Sequence, residues 1–352
     1  VRSLAIPDAV GPESYSCFGR GNAFLLQKFR DGEARPAMAE YYNWYCPSNE
    51  HALRGFWQNA IHGKCFYNFA LHQIFGQPSW YYRWSWEPGR WEKAQEVFRR
   101  VRAHEDLYAV SPSAANVAVM GSERSSVAFK EQVYYQVSTL VRTDQNLLAV
   151  WTALQESQIP ADIVFAETAT ARKLAKYDVI YLTDAKLLTD AEGAVLRDWV
   201  KAGGTLIAEG TTSLFHETKL KPLANYRLAD LFGADFREAV WPKPEENDTV
   251  ATRHASPVSS FPVHTGFDDI VHFEDYVPRD VKPVKSILRG KTAIALPGLA
   301  AGAALEYDGG LGYDRVAPTT AKVVATYANG DPAVLENAVG KGRCYFQTSA
   351  YP

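Results

Sequence analysis

The residues best equipped for chemistry lie in the first third of the chain. Glu40 closes a short apolar run, Pro36–Glu40 (PAMAE), and Tyr41, Tyr42, Trp44 and Tyr45 follow it. A carboxylate among rings suits glycoside chemistry. One carboxylate attacks the anomeric carbon or activates water, and a second protonates the leaving oxygen. Glu40 suits the attacking role; the competing reading is a salt-bridged Glu at a strand end. Asp8 follows the first strand-like run, and Glu13 sits in the loop beyond it. Either could bind a hydroxyl, or simply be a loop carboxylate in water. His72 ends a third strand-like run, where it could bond a sugar hydroxyl, orient Glu40 or serve packing. The segment from Trp80 to Trp91 contains Trp80, Tyr81, Tyr82, Trp84, Trp86 and Trp91, with Arg83, Glu87 and Arg90 between them. Apolar ring faces stack on the CH-rich faces of pyranoses. The same composition also makes a hydrophobic plug or a subunit contact. Base stacking is disfavoured because no basic groove accompanies the rings.

Other chemistries lack their residues. The four cysteines, Cys17, Cys46, Cys65 and Cys344, form no CxxC pair and no zinc-like spacing, so free buried thiols are expected. No HExxH or other metal set appears, and no phosphate-cradling glycine loop follows a strand. The sequence therefore implies no cofactor and no metal. A formal net charge of -3 gives no general attraction to nucleic acid or anionic membrane. The longest apolar stretch, residues 292–305, is too short to span a bilayer and is broken by Pro297 and Gly298. The compartment is left open.

The elements that must hold these residues alternate. Arg2–Ile6, Pro36–Glu40 and Lys64–Leu71 read as strands. Phe18–Arg30, Glu50–His62 and Trp91–Tyr108 read as helices. Three strand–helix units in sequence argue for parallel strands with crossover helices. They fit the last three units of an eight-unit β/α barrel, whose active site lies at the C-terminal strand ends. The chain opens VRSLAIPD and stops at SAYP, so both ends read as cuts through a longer protein, with five barrel units expected before Val1.

The first domain is thus expected over residues 1–110 and a second over 111–352. In the second, Val117–Met120, Asp162–Ala166, Tyr177–Thr183 and Thr205–Glu209 alternate with the helices Phe129–Val141, Asn146–Gln155, Thr170–Leu174 and Thr189–Ala202. That is an open, doubly wound, flavodoxin-like α/β sheet. Tyr177–Thr183 reads as fully buried. After residue 233, prolines 242, 244, 257 and 262 mark a loop-rich insertion. Strands then resume at Lys322–Tyr327, Ala333–Asn337 and Arg343–Gln347, spaced as antiparallel hairpins. The turn Ala208-Glu209-Gly210-Thr211-Thr212 carries neither Cys nor Ser, so His216 and Glu217 have no nucleophile to serve.

The run PAMAEYYNWY, the helix HALRGFWQNAIHGKCFYNF, the segment YDVIYLTDAKLLTDAEGAVLRDWVKAGGTLIAEG and the closing GDPAVLENAVGKGRCYF together resemble glycoside hydrolase family 42, the β-galactosidases, and close relatives. The resemblance implies a catalytic β/α barrel, then a class I amidotransferase-like domain without the amidotransferase nucleophile that serves trimerisation, then a small β domain. It implies that Glu40, at the end of the seventh barrel strand, is the nucleophile, and that the acid/base Glu lies on a strand upstream of Val1. Asp8, Tyr42, Trp44, His72, Trp80, Trp84 and Trp86 are the residues expected to bind a carbohydrate substrate. The implied partner is a second copy of the chain, in a trimer. The alternative function is a non-catalytic carbohydrate-binding or assembly module with the same domain order.

Overall fold

The computed structural model describes residues 13–15, 27, 31, 37–42, 49–69, 88–110, 112–128, 142–183, 185–240, 313–327 and 329–349. The chain divides into two compact units, the second beginning at Ala115. The expected strand Arg2–Ile6, the helix Phe129–Val141 and the proline-marked insertion lie outside the described residues. Of the expected helix Phe18–Arg30, only Gln27 is described.

The first unit holds three parallel strands: β1 (Glu13–Tyr15), β2 (Ala37–Tyr42) and β3 (Lys64–Phe69), in that order. Between β2 and β3 runs α1 (Asn49–Gln58), which ends in one π-helical turn, Asn59–Gly63. His62 in that turn lies 3.2 Å through Nδ1 from Oε1 of buried Gln27. The single helix expected over Trp91–Tyr108 is two, α2 (Arg90–Arg102) and α3 (Glu105–Val110). The break has a local cause. The amides of Ala103 and His104 tighten onto Arg99 and Val101, three arginines sit at the negative end of α2, and Glu105 and Asp106 open α3 at its positive end. Phe56 of α1 packs on Ala94 and Val97 of α2, with Leu53, Trp57, Trp91 and Val101 around them. Asn49 Nδ2 donates to Pro88 O at 2.8 Å, tying the start of α1 to the residues just before α2.

The second unit is α/β with a mostly parallel sheet of seven strands. Its elements in chain order are β4 (Val117–Gly121), α4 (Glu123–Ala128), α5 (Arg142–Glu156), β5 (Ala161–Phe165), α6 (Ala171–Leu174), β6 (Val179–Leu182), α7 (Asp190–Ala202), β7 (Thr205–Glu209), α8 (Ala229–Phe232), β8 (Ala234–Val240), β9 (Tyr313–Pro318), β10 (Lys322–Thr326), β11 (Pro332–Val339) and β12 (Gly342–Gln347). The strand order is β10-β11-β12-β7-β6-β4-β5. From β12 to β5 every neighbour is parallel, while β10, β11 and β12 are antiparallel. The final strands therefore extend the main sheet. β12 supplies the link, because its parallel ladder with β7 pairs Arg343 with Thr205 through Gln347 with Glu209. β8 and β9 make an additional antiparallel pair that the sequence did not announce.

Helix α7 forms where local signals place it. Thr189 accepts from the Glu192 amide and the Glu192 carboxylate accepts from the Thr189 amide, a complete capping box. At its other end two glycines allow an unusually close approach. A Cβ on Gly204 would lie 2.5 Å from the Trp199 ring, and one on Gly342 would lie 2.2 Å from the carbonyl oxygens of both Gly204 and Val200. The Arg343 amide donates to Gly204 O at 3.2 Å and the Lys341 amide to Lys201 O at 3.0 Å. The segments WVKAGGTLIAEG and GKGRCYF are thus the two sides of one contact.

β6 is shorter than expected and buries alternate residues, not all of them. Ile180 and Leu182 are buried while Val179 and Tyr181 are only half-buried. Tyr177 cannot join it because its amide closes the α6 turn on Leu174 O and its hydroxyl donates to Asp162 at 2.9 Å. The core runs from Ala118, Met120 and Val164 through Leu206 and Ala208 to Phe346. There Phe232 stacks on Phe346 with centroids 4.1 Å apart, and Tyr226 sets its edge against both rings. Tyr226 also donates to buried Asp314 at 2.7 Å, which fastens β9 to this core.

Candidate functional site

In the first unit the strand register sets the site. β1 pairs with β2 as Glu13↔Glu40, Ser14↔Tyr41 and Tyr15↔Tyr42. β2 pairs with β3 as Glu40↔Tyr67, Tyr41↔Asn68 and Tyr42↔Phe69. Glu40 is not the last residue of its strand, because the ladder carries on for two residues and takes Tyr41 and Tyr42 out of the loop. Residues alternate between faces along a strand, so Glu40 and Tyr42 share one face and Tyr41 takes the other. Glu13 lies on a strand, not in the loop expected for it. Asp8, Trp44, His72, Trp80, Trp84 and Trp86 lie outside the described residues. Of the nominated residues, the structure thus sets Glu40 and Tyr42 on one face. It adds Glu13 and Tyr67 in register with Glu40. The sequence signal for Glu13 was weak, since Glu-Ser-Tyr has no apolar run to mark a strand.

The second unit offers the two places where a doubly wound sheet holds ligands or nucleophiles. The crevice between β4 and β6, where connections leave in opposite directions, is where ligands bind in such sheets. At this end of the sheet the residues that follow the strands bond to one another. The Glu167 carboxylate accepts from Ser122 Oγ at 2.8 Å and from the amides of Glu123 and Arg124 at 3.2 and 2.9 Å. Arg124 in turn forks onto Glu192 at 3.0 and 2.9 Å and reaches Leu187 O at 3.0 Å. Burial pushes the Glu192 carboxyl up, but the Arg124 fork and the bonds from Thr189 outweigh it and hold it below the usual carboxylate range. The arginine is pushed up by the same pair.

The second place is the turn after β7. Gly210 has φ +59° and its amide donates to Gln347 O and Ser349 O at 3.2 and 3.3 Å. Thr212 Oγ1 donates back to Glu209 O at 2.5 Å, and Lys186 Nζ reaches Thr211 Oγ1 at 2.8 Å. Glu209 is fully buried and accepts from the Tyr181 hydroxyl at 2.9 Å. The turn is bent as a nucleophile elbow is, yet it carries a carboxylate, a glycine and two threonines. His216 Nδ1 accepts from the Thr218 amide at 3.3 Å, and Glu217 accepts from Arg227, which also pairs with Asp190. These are bonds that fasten a loop. Cys344 lies buried in the core, and that burial pushes its thiol well up.

Residues 115–266 match the β-galactosidase trimerisation domain family. Among solved structures, the β-galactosidase from Bacillus circulans sp. alkalophilus matches with TM-score 0.63 at 17% identity, over 95% of this chain and 45% of that one. The cold-adapted β-galactosidase from Rahnella sp. R3 matches with TM-score 0.65 at 18% identity, over 99% of this chain and 49% of that one. The exo-β-1,4-mannosidase Op5Man5 from Opitutaceae bacterium strain TAV5 matches with TM-score 0.57 at 13% identity, over 97% and 55%. The chain spans about half the length of the β-galactosidases it matches. At these identities the likeness is one of fold. A search of curated protein sequences finds no match. The resemblance to the family 42 β-galactosidases, read first from sequence motifs, stands on the domain match and the shared fold together.

Proposed function

We propose that this chain is part of a retaining glycoside hydrolase, most like a β-galactosidase, with Glu40 as its nucleophile. The observation that carries the reading is the place of Glu40: it lies on the middle strand of a parallel sheet, in the carboxyl-terminal half of that strand, ahead of a β-galactosidase trimerisation domain. Active sites of β/α barrels lie at the carboxyl ends of the strands. On this reading the three strands are the last three of a barrel. The Glu40 carboxylate attacks the anomeric carbon, the glycosidic bond breaks, and a glycosyl ester forms on Glu40. A Glu outside this chain gives its proton to the leaving oxygen and then takes one from the water that cleaves the ester. Tyr42 and the rings of Trp44, Trp80, Trp84 and Trp86, with Asp8 and His72, bind the sugar. The second unit carries subunit contacts as a homo-oligomer, and its nucleophile-free turn after β7 supports a non-catalytic role.

The test is Glu40→Gln in the intact protein, with turnover of an aryl β-galactoside as readout. Turnover should vanish while the circular dichroism spectrum is kept. A 2-fluoro glycoside should leave its sugar on Glu40, located by peptide mass mapping. Near-normal hydrolysis by the variant would remove Glu40 from the mechanism. A second reading, a carbohydrate-binding or assembly module, draws support from the family match falling on the assembly domain. Sugar binding without adduct or turnover would favour it.

A further inference from the structure

We infer that the second unit joins one copy of this chain to the next through two unlike patches, the Lys219-Leu220-Lys221 tip of one copy seating on the Glu156–Ile159 end of α5 in its neighbour. The inference rests on the proposed subunit role of the second unit and names the residues that carry it. In a ring of three copies, the assembly that the resemblance implies, no twofold axis crosses a contact, so each contact must join two different surfaces. Among the described residues of the second unit, two large apolar side chains are exposed, Leu220 at 43% and Ile159 at 40%. Each stands at a left-handed turn. Leu220 itself has φ +53°, and Ile159 follows Gln158, which has φ +59°. Leucine rarely takes that conformation, so the tip holds an apolar side chain in water against the preference of its backbone.

The two patches lie at opposite ends of the sheet and carry opposite charge. The tip is a tight excursion after β7. It is closed by the Phe215↔Pro222 bridge, by the His216 amide donating to Lys221 O at 3.0 Å and by the Leu220 amide donating to His216 O at 3.0 Å. The Ser213 and Phe215 amides tie its base to Ala185 O and Lys186 O, which follow β6, so the tip belongs to the carboxyl end of the parallel strands. Ile159 lies two residues before β5, and so at their amino end. There the amides of Gln158 and Ile159 donate to Gln155 O and Leu154 O at 3.0 and 2.9 Å, which wraps the last turn of α5. That helix runs 15 residues with no basic residue in its last turn, so no cation of its own offsets its negative end, and exposed Glu156 adds to it. Lys219 and Lys221, exposed on either side of Leu220, supply the matching cations. An apolar tip thus meets an apolar turn, with two cations set against a helix carboxyl end. Both patches are held by their own backbone bonds, so little ordering opposes the contact.

The experiment measures the mass of the intact protein by sedimentation across a range of protein concentrations. Wild type should be a trimer. Leu220→Asp and Ile159→Asp each put an unpaired charge into the contact and should raise the concentration at half-assembly by about tenfold or more, with the circular dichroism spectrum kept. An equimolar mixture of the two variants should form mixed dimers, because the intact Leu220 tip of one copy still finds the intact Ile159 end of the other. Lys219→Glu combined with Lys221→Glu should weaken assembly most at low salt, and it reads the same inference should an aspartate disturb folding. Assembly unchanged in these variants would overturn the inference, and so would a mixture that yields no mixed dimer. The wild-type mass judges the parent reading separately: a monomer there overturns the subunit role itself, whatever the variants do.

Discussion

Replacing Gly342 by alanine should unfold the contact between the end of α7 and the start of β12. The added Cβ would lie 2.2 Å from two carbonyl oxygens, Gly204 O and Val200 O, where ordinary contact begins at 3.4 Å. Both oxygens belong to backbone, so neither can swing aside as a side-chain tip does. The strand must retreat by about 1 Å. That lengthens the bond from the Arg343 amide to Gly204 O, and strain spreads into the β12–β7 ladder. Overpacking costs about 1–3 kcal/mol and a weakened hydrogen bond about 1 more, so roughly 2–4 kcal/mol is expected. In a domain of this size that lowers the melting temperature by roughly 4–16 °C. Calorimetry reads the global effect, and hydrogen exchange at the Lys341 and Arg343 amides reads it locally. Gly330→Ala is the control. Gly330 has a positive φ, +86°, unlike Gly342, and nothing stands within 4 Å of its Cβ position, so only backbone strain of about 1 kcal/mol applies. Equal melting of the two variants, or unchanged exchange at Arg343 in Gly342→Ala, would refute the close-approach argument.

Two further outcomes follow from groups in the second unit. Glu192 has its folded pKa depressed, so its contribution is present above the unfolded value and is lost as pH falls through the folded one. Glu192→Gln should lower stability at neutral pH and flatten the decline of stability below about pH 4.5, as measured by urea midpoints across pH; an unchanged acid limb would contradict this. Cys344 is buried with its thiol pushed up, so it should resist iodoacetamide in the folded protein and react once denatured, as peptide mass mapping would register.

What could be read from the residues alone was whatever neighbours in the chain decide. Thr189 and Glu192 sit three apart, and their capping box depends on nothing beyond that spacing, so the start of α7 was legible to the residue. Its end at Gly203 was legible for the same reason, as was the parallel run β4 to β7 from its alternation with helices. The exposed break between α2 and α3 was missed because the apolar period continues through it, although the arginines before and the acids after it mark two helix ends.

At the site, the residue type of Glu40 and the aromatic residues around it suggested the chemistry. The partner of Glu40 did not show, because Glu13 lies in a polar triplet whose strand character comes only from the neighbour it pairs with. The same holds for β12, whose hairpin with β11 was visible in the glycine turn but whose parallel union with β7 was not. Capping, turn chemistry and periodicity are written in adjacent residues, and so the sequence by itself determined them. Register between distant strands, the clash space at Gly342 and the fork of Arg124 on Glu192 depend on which backbones come together in space, and there tertiary structure alone decided.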